Sequence, residues 1–237
     1  MKSLDWFRAR CESADFVRVV AFGSSNTGRR LPGMHWFDCL DLACRSRFGE
    51  KFAMINSGRG GDTTADLLAR LERDCLAHQP DLVLVTIGGN DSFAGRGVTP
   101  AQYRENLETL IRRLRSAGAE PVMQTYYSFD LAAEEIPPED GSAFLANMET
   151  VRETARAHGC PLVDHLARWE PLRQRCPKVY RRLLVDAAHL NPTGNLLMGL
   201  DLARHFGLEL PETPDLREAR ALQALLDLLA GARESFA

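Results

Sequence analysis

The sequence has no excess of positive charge. Its 29 lysines and arginines stand against 32 aspartates and glutamates, a net charge of −3, so no general attraction to nucleic acid or to an anionic membrane is expected. No apolar run is long enough to span a bilayer. The opening Met1-Lys2-Ser3-Leu4-Asp5-Trp6 lacks the apolar core of a signal peptide. The six cysteines (Cys11, Cys39, Cys44, Cys75, Cys160 and Cys176) make no C-x-x-C pair and no zinc-like spacing. Most sit in apolar segments and read as buried thiols, which points to a reducing cytoplasm. There is no internal repeat and no low-complexity segment. Gly58-Arg59-Gly60-Gly61 does not complete G-x-G-x-x-G, and no P-loop lysine follows it, so it does not read as a phosphate cradle.

What is present is a chain of 237 residues, 45% hydrophobic, enough for one large core. Short β-branched and apolar runs at 16–22, 52–56, 82–87, 121–126 and 161–164 alternate with amphipathic stretches at 34–48, 65–76, 99–118, 142–158 and 191–205. Residues 82–87 are apolar on both faces, as a central parallel strand requires. The alternation predicts an α/β fold, a flavodoxin-like three-layer sandwich around a central five-stranded parallel sheet. Residues 128–141 read as a long acidic loop and 169–184 as a mixture of helix and loop. Residues 1–210 form the expected domain, and 211–237 an amphipathic helical extension. Leu216, Leu222, Leu225, Leu226 and Leu229 share one side of that helix. Docking on the chain's own core is the expected answer, with a homodimer contact as the alternative.

Four loops stand out: Gly23-Ser24-Ser25, Gly60-Gly61-Asp62, Gly89-Asn90-Asp91 and Asp186-Ala187-Ala188-His189. The first three follow strands one, two and three, so they open on one edge of a parallel sheet, where ligands of such folds bind. A serine hydroxyl is a weak nucleophile that needs a base, and His189 is the candidate. The base needs an orienting acceptor, which Asp186 can supply from three residues away. Ester cleavage passes through an oxyanion that needs prepared donors. The Gly61 N–H, the Asn90 amide and the N–H of the serine itself are candidates. The plainer readings are a strand-to-helix turn capped by Ser and Asn, and a metal site on Asp186 and His189, which lacks a third ligand at helical spacing. His35, His78, His158, His165 and His205 read as surface or packing residues. The arginines between 173 and 182 read as a solvated helix face.

Taken in order, these residues resemble the SGNH hydrolase superfamily, the GDSL-type esterases and lipases. That pattern has a serine after strand one, a glycine after strand two, an asparagine after strand three and Asp-x-x-His near the C-terminus. The resemblance covers residues 16–206. It implies Ser25, two positions after Gly23, as nucleophile with Asp186 and His189, and an oxyanion hole of Ser25, Gly61 and Asn90. It implies hydrolysis of a small-molecule carboxylic ester and no metal or organic cofactor. Short acyl groups are expected, because no long apolar insertion interrupts the chain to serve as a lid or acyl tunnel and the loops at the strand ends are polar. A thioesterase, an acyltransferase and a catalytically silent binding module are the alternatives. One position departs from the pattern: Ser24 stands where the family usually has aspartate. Ser24 is expected to point to neighbouring loops and hydrogen-bond backbone there.

Overall fold

Strands β1 (Val17–Gly23), β2 (Phe52–Gly58), β3 (Leu82–Thr86), β4 (Glu120–Gln124) and β5 (Leu162–Val163) form one sheet in the order β2-β1-β3-β4-β5. Every pairing is parallel. This is the flavodoxin-like order, with its switch point beside β1. The computed structural model describes residues 4–234. Residues 1–3 of the stretch read for a leader, and 235–237 of the C-terminal segment, lie outside the described residues.

Period-2 alternation divides the sheet's apolar side chains between two cores. Val17, Val19, Ala21, Leu82, Leu84 and Val122 face one. It is covered by α1 (Asp5–Ser13), α2 (Trp36–Phe48), α8 (Pro192–His205) and α9 (Arg217–Glu234). Val20, Phe22, Val83, Val85 and Met123 face the other, under α3 (Thr64–Asp74), α4 (Pro100–Ser116) and α5 (Pro138–Ala157). Helix α6 (His165–Arg175) and the short α7 (Pro177–Arg181) follow β5. Trp169 and Leu172 of α6 join the first core, and Leu166 joins the second.

Register positions the site. Gly23 pairs with both Gly58 and Thr86, and Thr86 with Gln124. The carboxyl ends of β1, β2 and β3 are therefore level, and their loops open side by side. Gly58 has no alternative there. A Cβ on it would lie 2.1 Å from the Gly28 nitrogen and 2.3 Å from the Thr27 carbonyl carbon. The loop after β1 rests directly on the end of β2.

Some boundaries differ from the sequence reading. Helix α5 begins at Pro138 inside the segment expected to be loop, because a proline at the first helical position gives up only an N–H that has no partner anyway. Glu139 and Asp140 in its first turn suit the helix dipole. Helix α6 starts at His165, capped by the Asp164 carboxylate, which accepts from Ala167 N–H. The N-terminal α1 was not anticipated; its Phe7 and Cys11 are buried. His165 is a buried core residue whose Nε2 lies 3.0 Å from Gln124 Oε1. The basic stretch is not wholly solvated: Arg181 pairs with Asp130 of the acidic loop at 3.2 Å.

Leu216, Ala219 and Leu226 are buried in the first core, with Leu222, Leu225 and Leu229 packed against it. Asp227 of α9 is clasped by Arg168 at 2.7 Å and Arg204 at 3.0 Å. The apolar side of α9 thus lies on α6 and α8 of its own chain. Among the described residues, no helix is long and apolar enough to cross a membrane.

Candidate active site

Ser25 sits on the turn after β1, held open by the Thr27 and Gly28 N–H groups donating back to the Ser24 carbonyl. Its Oγ lies 2.8 Å from His189 Nε2. His189 Nδ1 lies 2.8 Å from both carboxylate oxygens of Asp186. Asp186 Oδ1 also accepts the Ala188 and His189 N–H groups, each at 2.9 Å. Burial by itself would raise the Asp186 pKa, but the Ala188 N–H, the His189 ring and the His189 N–H outweigh it and hold the carboxyl below its ordinary value. An ionised Asp186 fixes the proton of His189 on Nδ1, leaving Nε2 to accept from Ser25. A hydroxyl placed against an imidazole that a carboxylate orients is arranged to lose its proton to that imidazole.

The His189 loop is tied to the Ser25 loop through neighbouring residues. Asn26 Nδ2 donates to the Ala188 carbonyl at 3.1 Å, and Tyr127 OH reaches both that carbonyl and Asn26 Oδ1. The Trp36 indole donates to the Asn26 carbonyl at 2.8 Å.

Gly61 and Asn90 line the same cleft as Ser25 and His189. The N–H groups of Ser25 and Gly61 have no hydrogen-bond acceptor among the described residues. Asn90 Nδ2 donates one hydrogen to the Asp62 carbonyl at 2.8 Å, which leaves the other for the cleft. Gly61 takes φ +86°, a backbone region open to glycine. Asp91 anchors the Asn90 turn by accepting from Thr64 N–H at 2.8 Å and Thr64 Oγ1 at 2.6 Å. Burial raises its pKa against those bonds.

Ser24 corrects the expectation made for it. It is buried, and its Oγ lies 2.8 Å from the Tyr126 hydroxyl rather than on backbone. Burial pushes the Tyr126 pKa above its ordinary value, so the hydroxyl stays protonated. The sequence reading also missed Arg70, a buried cation that contacts the ends of both β1 and β2 and the Gly61 loop. Its helical spacing made it look like an outward-facing residue of α3. An arginine flanked by leucines in Leu67-Leu68-Ala69-Arg70-Leu71 was the available signal.

Residues 21–197 match the GDSL-like Lipase/Acylhydrolase family. The chain is 28% identical over 215 residues to the Uncharacterized lipoprotein YqeF of Bacillus subtilis, covering 79% of this chain and 85% of that protein. It is 36% identical over 114 residues to Thioesterase 1/protease 1/lysophospholipase L1 of Escherichia coli, 48% of this chain and 52% of that one; the alignment spans about half of the latter. The lipase/acylhydrolase from Enterococcus faecalis superposes with a TM-score of 0.65 at 26% identity, over 84% of this chain and 100% of that one. The chain therefore belongs to the GDSL-like lipase/acylhydrolase family of the SGNH hydrolase superfamily and is a carboxylic ester hydrolase.

Proposed function

We propose that the protein cleaves small carboxylic esters with short acyl groups through an acyl-enzyme on Ser25. The Ser25 proton passes to His189 Nε2 as Oγ bonds to the ester carbonyl carbon. The carbonyl oxygen becomes an oxyanion facing the Ser25 and Gly61 N–H groups and the free Asn90 hydrogen. The carbon–alkoxy bond then breaks, and His189 Nε2 returns its proton to the leaving oxygen. Water repeats the sequence: it gives a proton to His189, attacks the acyl carbon and releases the acid, and Ser25 regains the proton.

One observation carries this reading: the 2.8 Å contacts from Ser25 Oγ to His189 Nε2 and from His189 Nδ1 to Asp186, at a cleft with unspent donors. The short-acyl preference rests on the sequence, where no long apolar insertion interrupts the chain to serve as a lid or acyl tunnel.

The test is intact mass and peptide mapping after treatment with a fluorophosphonate, alongside turnover of p-nitrophenyl acetate. One label per chain, on Ser25, with activity lost in step, is the expected result. Label on Ser24, or labelling that survives Ser25→Ala, would show the wrong nucleophile. No turnover of any ester would favour the silent binding module. His189→Ala is expected to lose ~10³-fold or more in kcat, and Asp186→Asn to lose rate through the wrong tautomer. A thioesterase uses the same steps with sulfur as the leaving atom, and the Escherichia coli relative named Thioesterase 1 supports assaying acyl thioesters beside oxygen esters. The cytoplasmic placement rests on six free thiols, five of them buried. Cell fractionation tests it against the surface location that a lipoprotein relative suggests.

A further inference from the structure

Ser25 and His189 line a second opening, distinct from the one that holds Gly61 and Asn90. Its apolar walls are Leu31, Pro32 and Met34 from the loop before α2, with Val185, Leu190 and Pro192 from the segment leading into α8. Leu31, Met34 and Val185 are 40%, 37% and 49% exposed. They make up half of the large hydrophobic side chains that the described surface exposes, and all three collect at this one mouth. An exposed apolar cluster of this kind costs solubility unless something binds there.

The polar groups of the cleft are largely spent elsewhere. His35 Nδ1 accepts the Phe37 N–H at 3.3 Å, capping α2. Asn195 Nδ2 donates to the Leu190 and Asn191 carbonyls at 3.3 Å and 3.1 Å. Arg30 remains as a cation at the rim, lining both openings.

The chemistry distinguishes the two openings. In the tetrahedral intermediate the oxyanion must face Gly61 and Asn90, while the leaving oxygen must reach His189 Nε2 to take its proton. The opening that contains Ser25 and His189 but neither Gly61 nor Asn90 is on the side of the departing group. The other, walled by Phe93, Tyr126 and Phe129, is left for the acyl group.

We infer that the cleft between Leu31, Met34 and Val185 is the alcohol subsite and that it takes an uncharged, apolar alkyl or aryl alcohol. This rests on the Ser25 acyl-enzyme reading. The substrates are then esters of uncharged, apolar alcohols.

The test uses two ester series on the intact protein. One holds acetyl constant and lengthens the alcohol from ethyl to butyl to hexyl; these alcohols differ little in acidity, so binding rather than leaving-group chemistry sets the slope. The other holds ethyl constant and lengthens the acyl group from acetyl to butyryl to octanoyl. In the wild type, kcat/KM is expected to rise roughly threefold per buried methylene along the alcohol series. Met34→Gln and Val185→Asn, both at exposed positions, are expected to flatten that slope by at least ~3-fold per step of the series. Every ester of the acyl series carries the same ethyl group into this cleft, so the variants should shift that series by a common factor and leave its dependence on acyl length unchanged. A flat alcohol series in the wild type, or variants that change the dependence on acyl length instead, overturns the assignment while leaving the Ser25 reading intact. Ester hydrolysis that survives Ser25→Ala overturns both.

Discussion

Arg70 Nε lies 2.6 Å from an Asp62 carboxylate oxygen, and the two side chains are only 6% and 9% exposed. The same guanidinium donates to the Ser57 carbonyl at 2.9 Å and the Gly23 carbonyl at 3.0 Å, and covers the Phe22 ring at 4.5 Å. Since the Asp62 carbonyl accepts from Asn90, one cation fixes the Ser25, Gly61 and Asn90 loops relative to one another. Arg70→Met leaves a buried carboxylate unpaired and is expected to cost about 3–5 kcal/mol of stability. Arg70→Lys keeps a charge but loses the fork that reaches several acceptors. It is expected to lower kcat by ~10-fold or more with KM nearly unchanged, because the donors act in the transition state. Arg168→Lys, in the α9 clasp, serves as the control and is expected to lose stability without losing kcat. A normal kcat in Arg70→Lys would reduce the network to a structural role.

Asn90→Ala removes both the donor to the cleft and the bond to Asp62. The expected loss in kcat is ~10²–10³ with little change in KM. Steady-state kinetics on p-nitrophenyl acetate checks this. A change confined to KM would mean that Asn90 holds the ground-state ester alone.

The Ser24–Tyr126 contact makes a prediction about the unusual residue beside Ser25. Ser24→Ala is expected to cost about 1 kcal/mol, the value of one buried hydrogen bond. Ser24→Asp restores the usual family residue next to a tyrosine that stays protonated and can donate to the carboxylate. An active enzyme with a shifted pH optimum is expected. Adding Tyr126→Phe removes that donor and should destabilise the Ser24→Asp protein far more than the wild type. Equal losses in thermal melts of the two backgrounds would refute the pairing.

Burial depresses His35 and His165 from 6.5 to about 4 in the folded chain. Below pH 6.5 the unfolded chain gains protons that the folded chain refuses, so stability falls as pH drops and levels off only below about 4. Each histidine can cost up to about 3 kcal/mol across that window. Urea denaturation at pH 7.5, 6 and 4.5 is expected to show a falling midpoint, and His165→Gln a shallower fall. A midpoint independent of pH would contradict the buried neutral state.

Because α9 lies on α6 and α8, the intact protein is expected to be a monomer by light scattering. A chain ending at residue 211 loses Leu216, Ala219 and Leu226 from the core, and at about 1.5–3 kcal/mol for each fully buried leucine it is expected to melt at markedly lower temperature. If the intact chain is instead a dimer, and truncation yields a folded, active monomer, the helix serves another copy.

The sequence by itself determined the alternation of strands and helices and the four loops that carry Ser25, Gly61, Asn90 and His189. Both depend on local properties: side-chain period, capping residues, and the glycine and polar residues at which strands stop. The five-stranded parallel sheet followed from that alternation and from residues 82–87, which are apolar on both faces and leave no polar face for solvent. Only the tertiary structure decided what lies between those loops. The leucines around Arg70 hint that it turns inward but do not name its partners, which are 8, 13 and 47 residues away. Ser24 meets Tyr126 across 102 residues, and sequence spacing holds no record of such a contact. The apolar cleft beside Ser25 is likewise assembled from two loops about 150 residues apart, Leu31 to Met34 and Val185 to Pro192. Each loop alone reads as ordinary surface, and it takes the level strand ends and the docked α8 to make the two into one wall.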